Sequence, residues 1–286
     1  MVFWAIAVMS ICVLGLVEYL HSDMDEATAL KKDSRARQLA EAGIAVGMHP
    51  LAVRADPVLR QVIAPGEEFE VHLRSEGGRL NINSVLQGRE WLILQELFSQ
   101  WGMGQADIDE VLQGFKDRVT QSSVQTGSVS SPSPPQPAGT VFLFQSVDEM
   151  LTVPGMDLVA QAKPGWRDYF TIWSDGPLDM NDAPADLIMA VCGVGMEQAE
   201  QFVNYRLGPD GVPDTDDDVI FTNLDQVRAE LGMSRQQFAA IQGLLSVQDS
   251  HLRIESTGTF EGYRRKITAV LRKNAVPPQF FLWQES

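Results

Sequence analysis

An uncharged, apolar run opens the chain and passes into a long amphipathic stretch. Met1–Val17 contains no charged residue, and with the next three residues the run would span about 30 Å as a helix. The residues that follow, up to Met48, are rich in Ala, Leu, Glu, Lys and Arg, which favour helix, and no proline interrupts them before Pro50. The pattern predicts one continuous helix of about 50 residues, an unusual length for a globular domain.

Beyond this helix, alternating apolar and polar positions predict antiparallel strands. Phe69, Val71 and Leu73 alternate with polar residues, and a Gly-Gly pair follows them. This arrangement predicts a hairpin whose second strand begins at Leu80. Further strands are predicted over residues 168–181, over residues 252–273 and, as an edge strand, over the "QFFLW" segment near the C-terminus.

Helical patterns fill the middle of the chain, and an internal repeat relates them. "GRLNIN" (78–83) matches "GPLDMN" (176–181), and "FQSVDEM" (144–150) matches "FTNLDQV" (221–227). Two helical stretches joined by a glycine-containing turn follow the first segment of each copy. Three matches in the same order predict a duplicated helix–turn–helix module.

The composition limits the possible functions. The net charge is -16, with 22 basic and 38 acidic residues, which disfavours nucleic acid because phosphate binding needs clustered basic side chains. The two cysteines form no disulfide framework. The four histidines lie in contexts that suggest no ligand cluster, and no phosphate-binding loop or nucleophile elbow is present. We therefore expect no enzymatic activity.

An acidic loop, Gly208–Phe221, is the strongest candidate for a metal site. Its sequence, "GPDGVPDTDDDVIF", places five aspartates within nine residues. Calcium binds carboxylate and carbonyl oxygens in flexible loops, although the EF-hand pattern is missing here. The predicted ligands are Asp210, Asp214, Asp216 and Asp218, with Asp217 pointing outward. The residues leave a second interpretation open, a solvated acidic turn without an ion.

A DNA-binding alternative comes from the segment "CGVGMEQAEQFVNYR", which resembles a helix–hairpin–helix turn. The preceding "LDMNDAPADLIMAV" also resembles the membrane-anchored DNA receptor of competence systems. In such turns, backbone N–H groups bind phosphates at a helix N-terminus. Gly176–Arg206 holds five carboxylates and one basic residue, however, and a phosphate-binding face should be reversed in sign.

Taken in order, four segments resemble the GspK family of minor pseudopilins in type II secretion. They are the apolar helix running into "RARQLAEAGIAVG", then "FEVHLRSEGGRLNIN", "LDMNDAPADL" and "IESTGTFEGYRRKITAVLRK". The resemblance implies an α+β, pilin-like fold, with a long N-terminal helix on an antiparallel sheet. A large α-helical domain would be inserted into it, here made of the two related helix–turn–helix modules.

The implied domain boundaries follow from this resemblance. Residues 1–22 would be a transmembrane anchor, residues 23–83 the pilin-like helix and first strands, and residues 246–286 the C-terminal strands. Residues 84–245 would form the inserted domain, with a strand segment near 168–181. Within it, the uncharged Ser- and Pro-rich residues 120–140 are predicted as a flexible surface loop.

The resemblance also implies a location, partners and a role. The chain would be a single-pass inner-membrane protein with its globular part in the periplasm, since no cleavage site favours a signal peptide. It would assemble with GspI and GspJ, with GspH as a further candidate, and calcium would bind the helical domain. The predicted partner-binding residues are Phe3, Ile6, Ile11, Leu14 and Leu16.

The first seventeen residues lack the carboxylate that pairs with a neighbouring subunit's terminal amine in other pilins. A subunit without this carboxylate has no such partner to offer a subunit above it. The inserted domain that the resemblance implies would also be too bulky for the interior of a thin filament. Both features predict a position at the tip of the pseudopilus, where the protein would prime its assembly.

Overall fold

The computed structural model describes residues 2–126, 143–273, 275 and 277–286. Within its helices, the side chains of residues 5–8, 10–23, 25 and 122–126 fall outside this description. The predicted long N-terminal helix is confirmed as α1, which has 46 residues. The helices are α1 (Val2–Gly47), α2 (Ile82–Gly88), α3 (Trp91–Gln100), α4 (Gln105–Thr126), α5 (Met156–Ala162), α6 (Ala185–Cys192), α7 (Met196–Arg206), α8 (Leu224–Glu230) and α9 (Arg235–Ile241).

The strands form one antiparallel sheet and two short pairs, so the fold is α+β. Their bounds are β1 (Arg60–Ala64), β2 (Glu67–Ser75), β3 (Leu80–Asn81), β4 (Phe170–Thr171), β5 (Leu178–Asp179), β6 (Leu245–Ser246), β7 (His251–Phe260), β8 (Tyr263–Arg272) and β9 (Gln279–Glu285). The sheet has the order β1-β2-β7-β8-β9. The C-terminal segment is an edge strand, as predicted.

The chain divides into two compact units. The first comprises Met1–Leu73, Ile254–Ala269 and Leu282–Ser286, and the second comprises Arg74–Arg253 and Val270–Phe281. The first unit is thus assembled from segments on both sides of residues 74–253. The predicted boundaries at residues 83 and 245 are a different division, which stays a prediction.

In the first unit, small residues let α1 lie close to the sheet. A Cβ added at Gly43 would lie 2.9 Å from the Val71 side chain, and one added at Gly47 would lie 2.9 Å from that of Ile254. Ala36, Leu39, Ala40 and Ile44 on the same helix are buried. The spacing of these residues places them on one helix face, and this face packs against the strands.

The second unit holds a large apolar core built by short helices. The biggest side chains buried in it are Trp166, Phe98, Phe115, Phe144, Phe170 and Phe202. Ile108, Val111 and Leu112, whose spacing places them on one face of α4, are all buried. Some of the aromatic rings also contact one another, as Phe115 and Phe144 do with ring centroids 6.1 Å apart.

The predicted hairpin over residues 67–83 is wrong. The strand at Phe69, Val71 and Leu73 is correct, but Glu76–Gly78 forms a 3-10 turn in which Glu76 is buried. Leu80 then pairs in parallel with Phe170 instead of returning along β2. In the sheet, β2 lies between β1 and β7.

The predicted flexible loop begins later than residue 120. Helix α4 continues to Thr126, because no glycine or proline interrupts residues 120–126. The Thr120 hydroxyl donates to the Lys116 carbonyl, four residues earlier, at 2.9 Å. Residues 127–140 of the predicted loop lie outside the described residues.

The predicted single-pass inner-membrane location is contradicted. Across the residues available for this test, no helix combines the length and the apolar character that crossing a bilayer requires. A spanning helix needs about 20 consecutive, mostly apolar residues.

Candidate functional site

The two copies of the internal repeat share one buried contact. In the first copy, Asn83 Nδ2 donates to the Phe144 carbonyl at 2.9 Å, and the Phe144 N–H donates back to Asn83 Oδ1 at 2.9 Å. In the second, Asn181 Nδ2 donates to the Phe221 carbonyl at 2.9 Å, and the Phe221 N–H donates to Asn181 Oδ1 at 2.8 Å. We call these two contacts the Asn–Phe clamps. In each, one side-chain amide satisfies both polar backbone groups of a buried phenylalanine.

The residues after each phenylalanine also match. Ser146 and Asn223 each begin a helix and accept a hydrogen bond from the backbone N–H three residues later. The residue before each cap donates its N–H to the side chain four positions on, Glu149 in one copy and Gln226 in the other. Residues at matching positions in the two copies of the repeat therefore make equivalent contacts.

Each copy also starts from a leucine in a two-residue parallel pair. Leu80 lies opposite Phe170, and Leu178 lies opposite Leu245. Both leucines are buried, at 3% and 1% exposure. The repeat is therefore organised by pairing with strands far along the chain, which a local pattern does not reveal.

In the acidic loop, the predicted ligand Asp214 is already paired. It is buried, has a positive φ of 67°, and its Oδ1 lies 2.6 Å from Arg74 Nη1. Its N–H donates to Asp218 Oδ2 at 2.7 Å. The other carboxylate oxygen, Asp218 Oδ1, is buried and has no hydrogen-bond partner.

The other aspartates hold the loop together through the backbone. Asp210 Oδ1 accepts from the Val212 N–H at 2.7 Å. Asp217 accepts from the Asp210 N–H and, at 2.6 Å, from the Thr215 hydroxyl, so it bonds within the loop although it is exposed. The bond from Thr215 is the main cause that lowers the pKa of Asp217. Asp216 is exposed.

In the described structure, the acidic loop does not bring three carboxylate groups close enough to one another to share a metal ion. Among the described residues, the single group of three or more possible metal-binding side chains is elsewhere, at Asp175, Asp249 and His251. The sequence did not single out this group. The calcium site at Asp210, Asp214, Asp216 and Asp218 therefore stays a prediction.

The predicted partner-binding residues lie in the N-terminal part of α1. Phe3 is 88% exposed, and Val2, Trp4 and Met9 beside it are also exposed. The side chains of Ile6, Ile11, Leu14 and Leu16 lie outside the described residues. Their role in partner binding stays a prediction.

The turn between α6 and α7 does not favour DNA binding. Arg206, the one basic residue in this segment, donates from Nη1 to the carbonyls of Met180 and Ala183, at 2.7 and 3.0 Å. Its guanidinium is therefore used to hold the chain before α6. The acidic side chains nearby, including Asp186, Glu197 and Glu200, would repel a phosphate.

The chain resembles known proteins through its fold. No family model matches the chain, and no curated protein sequence matches it. The fold, in contrast, has a clear counterpart among solved structures. It is that of an α+β subunit with a long N-terminal helix, a five-stranded sheet and a helical region between the strands.

A chain with this fold occurs in the crystal structure of the GspK-GspI-GspJ complex from the Type 2 Secretion System of enterotoxigenic Escherichia coli. The two chains superpose with a TM-score of 0.59 at 14% sequence identity. The match covers 94% of this chain and 99% of the other. The predicted resemblance to minor pseudopilins of type II secretion is thus confirmed at the level of the fold.

Proposed function

We propose that this protein is a minor pseudopilin that caps the tip of a type II secretion pseudopilus and primes its assembly. The observation that carries the proposal is the fold match over nearly the whole length of both chains. GspI and GspJ, which are named together with GspK in that complex, are the proposed partner types, and GspH is a further candidate. The proposed role is structural and needs no catalytic group.

Two features of the chain support a position at the tip. Residues 1–17 contain no carboxylate with which to pair the terminal amine of a neighbouring subunit. The long segment 74–253, which separates the parts of the first unit, supports the interpretation of an inserted, duplicated helical domain. The exposed apolar residues Phe3, Trp4 and Met9 at the start of α1 are suited to packing against a partner helix.

Co-purification tests the proposed assembly. The tagged full-length chain, produced together with GspI and GspJ of the same secretion system, is expected to retain both through affinity and size-exclusion steps. Phe3→Ser should weaken binding roughly tenfold or more if Phe3 is an anchor of the interface. Leu30→Ser changes another exposed apolar residue of α1, 65% exposed, and is the matched control.

The assembly proposal is rejected if the chain stays monomeric with every pseudopilin tried. Equal affinities for the unmodified chain and Phe3→Ser would reject only the role of Phe3. The same experiment with GspH added tests whether it joins the complex.

We also propose that the Gly208–Phe221 loop binds calcium. The orphaned oxygen, Asp218 Oδ1, supports a cation there, because a buried carboxylate oxygen without a donor is costly. Calcium would supply the missing interaction, and carbonyls and carboxylates of the loop would complete its oxygen ligands. Arg74 already pairs with one carboxylate oxygen of Asp214. Asp218 is therefore the main proposed calcium ligand.

Removal of calcium should lower the melting temperature of the protein. An ion at about 100 times its dissociation constant stabilises the folded state by about 2.7 kcal/mol, worth several degrees for a chain of this size. Asp218→Asn should remove most of that difference, while Asp225→Asn, an exposed aspartate of α8, should leave it unchanged. Identical melting in millimolar calcium and in chelator would leave the solvated-turn interpretation.

A further inference from the structure

Three side chains of the second unit converge on one imidazole nitrogen. His251 Nδ1 lies 3.2 Å from Asp249 Oδ1 and 3.5 Å from Asp175 Oδ1. The Ser250 hydroxyl oxygen is 3.1 Å from the same nitrogen. The Ser250 hydroxyl donates to Asp175 Oδ1 at 2.8 Å. Nδ1 carries at most one proton, so the imidazole can donate from this nitrogen to only one of the two carboxylates. The arrangement brings more oxygens to the nitrogen than a proton can bind.

We propose that Asp175, Asp249 and His251 form a binding site for one zinc-class divalent ion. Zinc binds imidazole nitrogen and carboxylate oxygen at about 2.0–2.2 Å, and in a tetrahedral site two ligand atoms then lie about 3.3–3.5 Å apart. The two nitrogen-to-oxygen distances, 3.2 and 3.5 Å, lie within about 0.1 Å of that range. The ligand atoms of all three residues lie within 4.8 Å of one another. The ion would balance the two carboxylate charges, and water would fill the fourth position.

The backbone already orients both carboxylates for this role. Asp249 Oδ1 accepts from the His251 N–H at 2.6 Å, and its Oδ2 accepts from the Asp175 N–H at 2.9 Å. Asp175 Oδ2 accepts from the Ser250 N–H at 2.8 Å. Each oxygen keeps a lone pair for a metal, and outer hydrogen bonds of this kind hold ligands in place.

The surroundings protect the site on one side and leave it open on the other. The side chains of Asp249 and His251 are 1% and 6% exposed, whereas that of Asp175 is 48% exposed and offers an entry path. The ring of Phe281 packs edge-on against the imidazole, with centroids 5.0 Å apart. Gly77 makes room, because a Cβ there would lie 2.8 Å from Asp249 Oδ2.

The ligand chemistry separates this site from the acidic loop. Calcium takes oxygen ligands almost exclusively, while imidazole suits zinc and other transition ions. An excess of calcium should therefore leave zinc bound at Asp175, Asp249 and His251. This inference does not depend on the proposed role in secretion.

Calorimetric titration of the chelator-treated, full-length protein with zinc chloride tests the site. We expect one equivalent to bind at micromolar zinc, in the presence of excess calcium, and cobalt substitution to give the visible absorption of a tetrahedral ion. His251→Gln and Asp175→Asn should each weaken zinc binding at least tenfold. Two control variants should bind zinc like the unmodified protein: Asp216→Asn in the acidic loop, and His72→Gln at a half-buried histidine beside Glu70.

If the variant His251→Gln, at a buried position, fails to fold, Asp175→Asn still tests the proposal. The Asp175 side chain is half exposed, so this variant is expected to fold. Absence of saturable zinc binding at micromolar concentration would overturn the proposal. So would zinc binding of unchanged affinity in Asp175→Asn. Either result would leave the group as a hydrogen-bonded link between the segment after β4 and the start of β7.

Discussion

Replacing Arg253 by methionine is expected to lower the free energy of unfolding by about 3–5 kcal/mol, because it leaves a charge buried without a partner. Arg253 Nε lies 2.9 Å from Glu76 Oε2, and the Glu76 side chain is 1% exposed. The Thr171 hydroxyl donates to the other oxygen of Glu76 at 2.5 Å. One neutral donor cannot compensate a buried carboxylate. Urea unfolding followed by circular dichroism measures the loss.

Two further variants test whether the unpaired charge of Glu76 causes the loss of stability in Arg253→Met. Arg60→Met removes an exposed ion pair of similar length, 3.2 Å to Glu70, and should cost less than about 1 kcal/mol. Adding Glu76→Gln to Arg253→Met removes the unpaired charge and should restore part of the stability. If Arg253→Met unfolds at the same urea concentration as the unmodified protein, the buried pair does not stabilise this unit.

Asn181→Ala and Asn83→Ala are expected to destabilise the protein by about 2–4 kcal/mol each, since each leaves a buried N–H and a buried carbonyl unpaired. Asn181 should cost slightly more, because its Nδ2 also donates to the Val247 carbonyl at 2.9 Å. Urea midpoints at constant slope give both values. The exposed helix cap Asn223 is the control, and its change to alanine should cost about 1 kcal/mol.

The comparison of the two variants tests the duplication itself. Similar losses at Asn83 and Asn181 would mean that both clamps hold equivalent modules. A loss at one position and none at the other would mean that the sequence repeat has lost its structural role in one copy.

The sequence predicted long elements well and short ones poorly. The alternation at Phe69, Val71 and Leu73 placed β2 correctly because one face of a long strand must be buried. Strand β3 has only two residues, too few for any alternation, and its partner Phe170 is far along the chain. The Gly-Gly pair therefore indicated a hairpin, whereas the chain forms a 3-10 turn there and then pairs with β4.

Separation along the sequence also explains why the group of Asp175, Asp249 and His251 was not predicted. The repeat could be found because its asparagines and phenylalanines recur in a fixed order. Asp175 and Ser250, which bond through side chain and backbone, are 75 residues apart, and no spacing rule connects them. The local signal was the Asp249 and His251 pair, two residues apart at the start of a strand, which alone suggests only a turn.

The Asn–Phe clamps have a consequence for how the chain can vary in length. The clamped residues are 61 positions apart in one copy and 40 in the other, yet the contact is the same. The entropy of closing a loop grows only with the logarithm of its length, so this difference costs about 0.4 kcal/mol. A single clamp therefore offsets the cost of a much longer connection. Segments between clamped residues can lengthen or shorten at little energetic cost, whereas replacing either asparagine leaves a buried N–H and a buried carbonyl unpaired.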